Sequence, residues 1–175
     1  MIILVGSHGT GKTTLLKEYK KKYGMNIRDG VSRPVRKVTN QFGLNGYIEQ
    51  KLINELTYFY FDYNKDIPNL GMTRSVFDNI IYSEVFGWND LRDESIERFK
   101  SLDLSGVKFV YIPIMFDIED DGVRYTDKEL QLKVDKAMRY YLDYFNIKYY
   151  TIKSNVLEER IEQLHEIVNN QESTN

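Results

Sequence analysis

The sequence predicts an α/β fold, a parallel five-stranded sheet with helices on both faces. Two observations carry that expectation. Short, β-branched apolar runs alternate along the chain with longer segments whose apolar residues recur every three to four positions. The runs are also near-continuous, as in Ile2-Ile3-Leu4-Val5 and VKFVYIPI at 107–114, which is how strands buried on both faces read.

In chain order, Ile2 to Val5 is the first strand, ended by Gly6. Lys12 to Lys22 follows as a helix with Leu15, Leu16 and Tyr19 inward and its lysines on a solvated face. Met25 to Arg28 is a short second strand. Leu44 to Tyr63 has the clearest helical period, with Leu44, Ile48, Leu52, Leu56, Phe59 and Tyr63 forming the apolar stripe that a helix normally turns to a core. Of the aromatic series Tyr58, Phe59, Tyr60, Phe61 and Tyr63, most are expected in the core, with one or two left to stack on a base. Pro68 to Thr73 is the third strand, and Ser75 caps a helix through Phe86. Asp90 to Leu102 is a helix and Val107 to Ile114 the fourth strand. Thr126, with Glu129 three residues on, reads as a capping box for a helix presenting Leu130, Val134, Ala137, Tyr141 and Phe145. Ile147 to Ile152 is the fifth strand and Val156 to Val168 the closing helix. The expected organisation is one domain over residues 1–168 and a polar tail over 169–175.

Composition narrows the chemistry. The 175 residues carry a net charge of −2, so no global basic field points to nucleic acid, although a local basic patch stays open. There is no cysteine, which removes disulfides, thiol catalysis and thiolate metal sites. His8 and His165 are the only histidines, too few for a histidine-rich metal site. No apolar run approaches the roughly 18 residues of a membrane span. The first apolar run is short and lacks a basic leader, so a soluble cytoplasmic protein is expected.

Directly after the first strand comes GSHGTGKTT at 6–14. Gly6-x4-Gly11-Lys12-Thr13 is the full P-loop pattern. Its glycines let successive backbone N–H groups turn inward, and the following helix adds its positive end. Gly6, Ser7, His8, Gly9, Thr10, Gly11, Lys12, Thr13 and Thr14 are therefore expected to hold the β- and γ-phosphates of ATP. Lys12 reaches those phosphates, and Thr13 ligates Mg²⁺. His8 is read as a tolerated loop residue.

In an open parallel sheet, ligands sit beyond the carboxyl ends of the strands. Three further segments leave strands at that edge. The loop Arg28 to Lys37 offers Asp29, which can accept the proton of an attacking hydroxyl, and Arg33 and Arg36, which can hold an anionic acceptor. Thr73-Arg74-Ser75 places Arg74 towards the reaction centre. The segment 117–127, containing Asp120-Asp121-Gly122-Val123-Arg124, reads as a LID-like loop that delivers Arg124 to the transferring group.

Together these motifs resemble the small P-loop kinase-like ATPases of the NadR/Ttd14-type AAA-domain group, many of them phage-encoded. The likeness rests on GSHGTGKTT, the Asp29 and Arg33 pair, TRSVFDNIIYSEVFG, DDGVRYTDKELQLKVDKAMRYYLDYF and YYTIKSNVLEER. It implies a P-loop fold of the nucleotide-kinase type and phosphoryl transfer to a nucleoside-like or nucleotide-like acceptor. Related small kinases are often dimers, so a homodimer is a further expectation. One departure stands out: Thr73 occupies the place where such kinases usually carry an acid before the arginine. In the acid's place the Thr73 hydroxyl would ligate Mg²⁺ only weakly and is no base near neutral pH. Ser32-Arg33-x-x-Arg36, with Gly46-Tyr47 downstream, is similar to the acceptor-phosphate segment of guanylate kinases, which tilts the expectation towards a nucleoside monophosphate. The alternatives are a nucleotide-binding regulatory module with little turnover and a polynucleotide 5′-kinase.

Overall fold

A computed structural model describes residues 1–116 and 127–170. Its elements run β1 (Ile2–Val5), α1 (Lys12–Tyr23), β2 (Asn26–Arg28), α2 (Ser32–Gln41), α3 (Gly46–Asn64), β3 (Leu70–Met72), α4 (Val76–Val85), α5 (Asn89–Lys100), β4 (Lys108–Tyr111), α6 (Lys128–Tyr144), β5 (Tyr149–Thr151) and α7 (Leu157–Asn169). The five expected strands form one parallel sheet in the order β2-β3-β1-β4-β5. β1 is central, so the glycine-rich loop leaves the middle of the sheet's carboxyl edge.

Strand alternation explains how one short run seeds two cores. Ile3 and Val5 face Met72, Phe77, Ile80, Phe109, Val134 and Met138, beneath α4 and α6. Ile2 and Leu4 face Leu15, Leu16, Met25, Val110, Ile161 and Leu164, beneath α1 and α7. A side chain at Gly71 would meet Met25 Sδ at 2.7 Å and Leu16 Cδ2 at 3.0 Å, so this glycine in β3 lets α1 and Met25 lie close to the sheet.

Three expectations are corrected. The segment read as a long edge loop, Arg28 to Lys37, becomes helix α2 from Ser32, with Val35 and Thr39 inward one turn apart. Pro34 lies in its first turn, where the missing N–H costs no hydrogen bond. The cap of α6 falls one residue later than expected: Asp127 accepts from the Glu129 N–H at 2.8 Å, and Thr126 lies outside the described residues.

The third correction concerns α3. Its apolar stripe faces outward: Leu52, Leu56, Phe59 and Tyr63 are all exposed. Of the aromatic series only Phe61 is buried, with Tyr58 and Tyr60 half-buried. The buried side is mostly polar, with Glu49, Gln50, Asn54, Thr57 and Asn64 beside Ile53 and Phe61. Hydrogen bonds compensate this burial. Asn54 Nδ2 lies 3.3 Å from both Ser83 Oγ and Ser95 Oγ, Gln50 donates to Asn54 Oδ1 at 2.7 Å, and Asn79 donates to the Asn54 carbonyl at 3.2 Å. α3 is thus tied to α4 and α5 by amide and hydroxyl groups rather than by its stripe.

None of the described helices is long and apolar enough to cross a membrane. Asn54→Ala leaves three buried partners short of a hydrogen bond and is expected to cost about 1–3 kcal/mol. Circular dichroism melts of the variant and the parent check this, and an unchanged melting temperature contradicts it.

Candidate active site at the sheet's carboxyl edge

The loop after β1 is shaped by crowding. A Cβ at Gly6 would lie 2.4 Å from the Ile112 carbonyl oxygen, and Gly6 has φ +147°. Gly9 and Gly11 adopt φ +78° and +79°, left-handed values that favour glycine. Gly11 is the N-cap of α1. It supplies no side-chain cap, and no acid lies in the first turn, so that helix end is open to an anion. The Thr13 hydroxyl makes no hydrogen bond among the described residues.

Lys12 is buried and folds back over its own loop. Its Nζ donates to the Gly6 carbonyl at 2.7 Å, the Ser7 carbonyl at 2.5 Å and Thr10 Oγ1 at 3.2 Å. His8 does more than occupy a loop position. Its carbonyl accepts from Gln131 at 2.9 Å, and its Nδ1 lies 3.4 Å from the Tyr82 hydroxyl, tying the loop to α6 and α4.

Arg160 of α7 is a residue that the sequence reading missed. It is 3% exposed, donates from Nη2 to the Thr10 carbonyl at 2.8 Å, and lies over the Phe116 ring at 5.5 Å. Its Nη1 occupies the space beside Gly11, 2.9 Å from where a Cβ would sit. Burial pulls its pKa below the ordinary arginine value. The available signal was an arginine beside Ile161, on the inward side of a helix otherwise filled by Leu164 and Ile167.

The facing wall is assembled from the ends of β2 and β3. Asp29 is exposed, with Lys17 at 4.0 Å. Gly30 packs on Arg74: a Cβ there would lie 2.3 Å from Arg74 Cγ and 2.5 Å from its Cβ. Arg74 pairs with Asp78 at 3.2 Å and lies over the Tyr82 ring at 4.8 Å. Burial works against the guanidinium charge, but Tyr82 and Asp78 overcome it and hold the pKa above the usual arginine value. Asp78 also accepts from the Ser75 N–H at 2.9 Å, completing the capping box of α4. Arg36 pairs with Glu49 at 3.2 Å, and Glu49 in turn accepts from Thr39 at 2.6 Å. Thr73 is buried, with its N–H on the Arg28 carbonyl at 3.3 Å.

Between the walls lies a cleft of about 1100 Å³. It is bordered by residues 8–14 on one side and by Asp29, Arg33, Arg36, Thr73 and Arg74 on the other, with Phe116, Asn155, Leu157 and Arg160 at one end. Gly6 and Ser7 lie behind this lining. Arg124 and the LID-like segment fall outside the described residues, apart from Asp127. The volume exceeds that of an ordinary small-ligand pocket.

A family model described as an AAA domain matches residues 1–160. The chain belongs to that AAA-domain family. No curated protein matches it. Among solved structures, a deoxyadenosine kinase from M. mycoides with the products dCMP and dCDP is 14% identical, with a TM-score of 0.72 over 96% of this chain and 98% of that one. The NadR protein in complex with NR gives 0.72 at 14% identity, over 97% of this chain and 52% of NadR. The YorR protein from Bacillus subtilis, in complex with phosphorylated GDP, gives 0.59 at 17% identity over 95% and 94%. At these identities the likeness is one of fold, a five-stranded parallel α/β sheet.

The contact between Gly30 and Arg74 is testable. Gly30→Val forces the arginine stem aside and is expected to cost about 1–3 kcal/mol. Removing the stem with Arg74→Ala in the same chain restores part of that loss, so melting data on the four-member cycle read the coupling. Strict additivity of the two changes would contradict the contact.

Proposed function

We propose that the chain transfers the γ-phosphoryl group of ATP to a small nucleotide-like acceptor, a (deoxy)nucleoside monophosphate or a nucleoside. The observation that carries this reading is the pairing of walls: a P-loop faces one exposed carboxylate and three arginines across a cleft wide enough for two nucleotides. The kinase fold of the structural neighbours supports it.

In this reading the ATP phosphates settle on the open end of α1. Lys12 exchanges the Gly6 and Ser7 carbonyls for β- and γ-phosphate oxygens. Thr13 offers its hydroxyl to Mg²⁺, which neutralises charge on the β- and γ-phosphates when bound. Arg33, Arg36 and Arg74 hold the acceptor's anionic group, bidentately where geometry allows. The acceptor oxygen attacks the γ-phosphorus, the bond to the β–γ bridging oxygen breaks, and ADP departs with that electron pair. The acceptor's proton passes to the Asp29 carboxylate. Asp29 carries this role alone because Thr73 stands where an acid is usual and Asp78 is occupied by Arg74 and Ser75.

The same substitution at Thr73 favours a second reading, a nucleotide-binding regulatory module. ADP release from Mg·ATP across nucleosides, monophosphates and a 5′-hydroxyl oligonucleotide separates the two. Acceptor-dependent ADP is expected, with kcat reduced ~10²- to 10⁴-fold in Asp29→Asn while ATP affinity is kept. Lys12→Ala is expected to weaken ATP binding at least ~10-fold. ATP binding with no acceptor raising turnover would overturn the kinase reading and leave the regulatory one. A response to the oligonucleotide alone would reassign the acceptor.

A further inference from the structure

Two buried polar side chains reach the glycine-rich loop from outside it, one from each face of the sheet. Gln131 stands at the loop end of an inward row on α6, followed by Val134 and Met138. Arg160 stands at the loop end of an inward row on α7, followed by Leu164 and Ile167. Each lies three or four residues before the next inward side chain, where another apolar group would simply extend the core. Gln131 is instead 1% exposed and Arg160 3% exposed. Gln131 donates to the His8 carbonyl at 2.9 Å, and Arg160 donates to the Thr10 carbonyl at 2.8 Å. Burying these groups is costly, since Arg160 Nε has no hydrogen-bond partner among the described residues. The packing of α6 and α7 requires neither of them.

The two gripped carbonyls alternate along the loop, and each immediately precedes a glycine in the left-handed region, Gly9 and Gly11. The C=O and the following N–H of a trans peptide point in opposite directions. A carbonyl drawn outward to a flanking helix therefore turns the next N–H towards the inside of the loop. Neither of those two N–H groups meets an acceptor among the described residues, and both glycines border the cleft. We propose that Gln131 and Arg160 are positioning residues that aim the Gly9 and Gly11 N–H groups at the phosphates of the bound nucleotide. The inference rests on the nucleotide reading of this loop and on no particular acceptor. Converging amides hold an anion well only when their directions are set before it arrives. Glycine leaves its own backbone direction loose, so the loop cannot set them by itself. The setting comes from helices 123 and 150 residues away in sequence. Phosphate affinity is thereby tied to how α6 and α7 dock on the two faces of the sheet.

With eleven glycines in the chain, glycine-selective ¹⁵N labelling makes both amides readable by NMR. On addition of Mg·ADP to the unmodified chain, the Gly9 and Gly11 amide protons are expected to move downfield as they take up phosphate oxygens. Arg160→Met should remove most of the Gly11 movement and keep most of that at Gly9. Gln131→Met should do the reverse. Mg·ADP affinity should fall at least ~10-fold in Arg160→Met and ~3- to 10-fold in Gln131→Met, the larger loss following the charged donor. Circular dichroism melts without ligand report folding, and if one variant does not fold the other still reads its own glycine. Equal loss at both glycines in each variant would mark a general loosening of the loop and overturns the proposal. So does parental Mg·ADP affinity in the folded variants, or Mg·ADP binding by the unmodified chain that moves neither amide. No binding of Mg·ADP by the unmodified chain would instead sink the nucleotide reading itself, and this inference with it.

Discussion

The carbonyl of Ile112 leaves no space for a side chain on the first residue after β1. Everything at the functional edge follows from that pinch. Because β1 is central and β4 lies against it, the chain leaving β1 must pass close to the backbone leaving β4, and only glycine fits at position 6. The loop then turns through Gly9 and Gly11 and delivers α1 end-on to the cleft. The same sheet order sets the ends of β2 and β3 on the far side, which is why residues near 12, 29 and 74 in sequence share one cavity.

The cleft is held open by pairing arrangements made elsewhere. Arg74 is steadied by Asp78 and the Tyr82 ring, and Arg36 by Glu49. Each cation is positioned by a residue on a helix rather than by the loop that faces the ligand. Such support limits side-chain wandering, and a bound anion then meets donors whose ordering cost has already been met by folding.

Much of this architecture was legible in the sequence. Five strands, the P-loop and the clustering of Asp29, Arg33, Arg36 and Arg74 at one edge could be read from local pattern and from the rule that ligands bind beyond strand ends. The failures have separate physical causes. Periodicity reveals that a helix has an apolar face but not which neighbour covers it, so the stripe of α3 was assigned inward while Asn54 and Gln50 took the buried side. Helix α2 was missed because Gly30 and Pro34 look like loop punctuation, although a proline in a first turn is compatible with a helix. Arg160 was missed because its partner, the Thr10 carbonyl, lies 150 residues away, which left its place on the inward side of α7 as the one local sign.

That arginine gives the cleft a property of its own. Arg160 is buried beneath the P-loop and has no carboxylate partner among the described residues, only a backbone carbonyl and the Phe116 ring. An uncompensated cation raises the free energy of the folded state when the cleft holds only water. A polyanion lodged above it acts as the missing counter-ion. The resilience of the whole molecule therefore depends on what fills the cleft, and an anionic occupant becomes part of the charge balance of the fold.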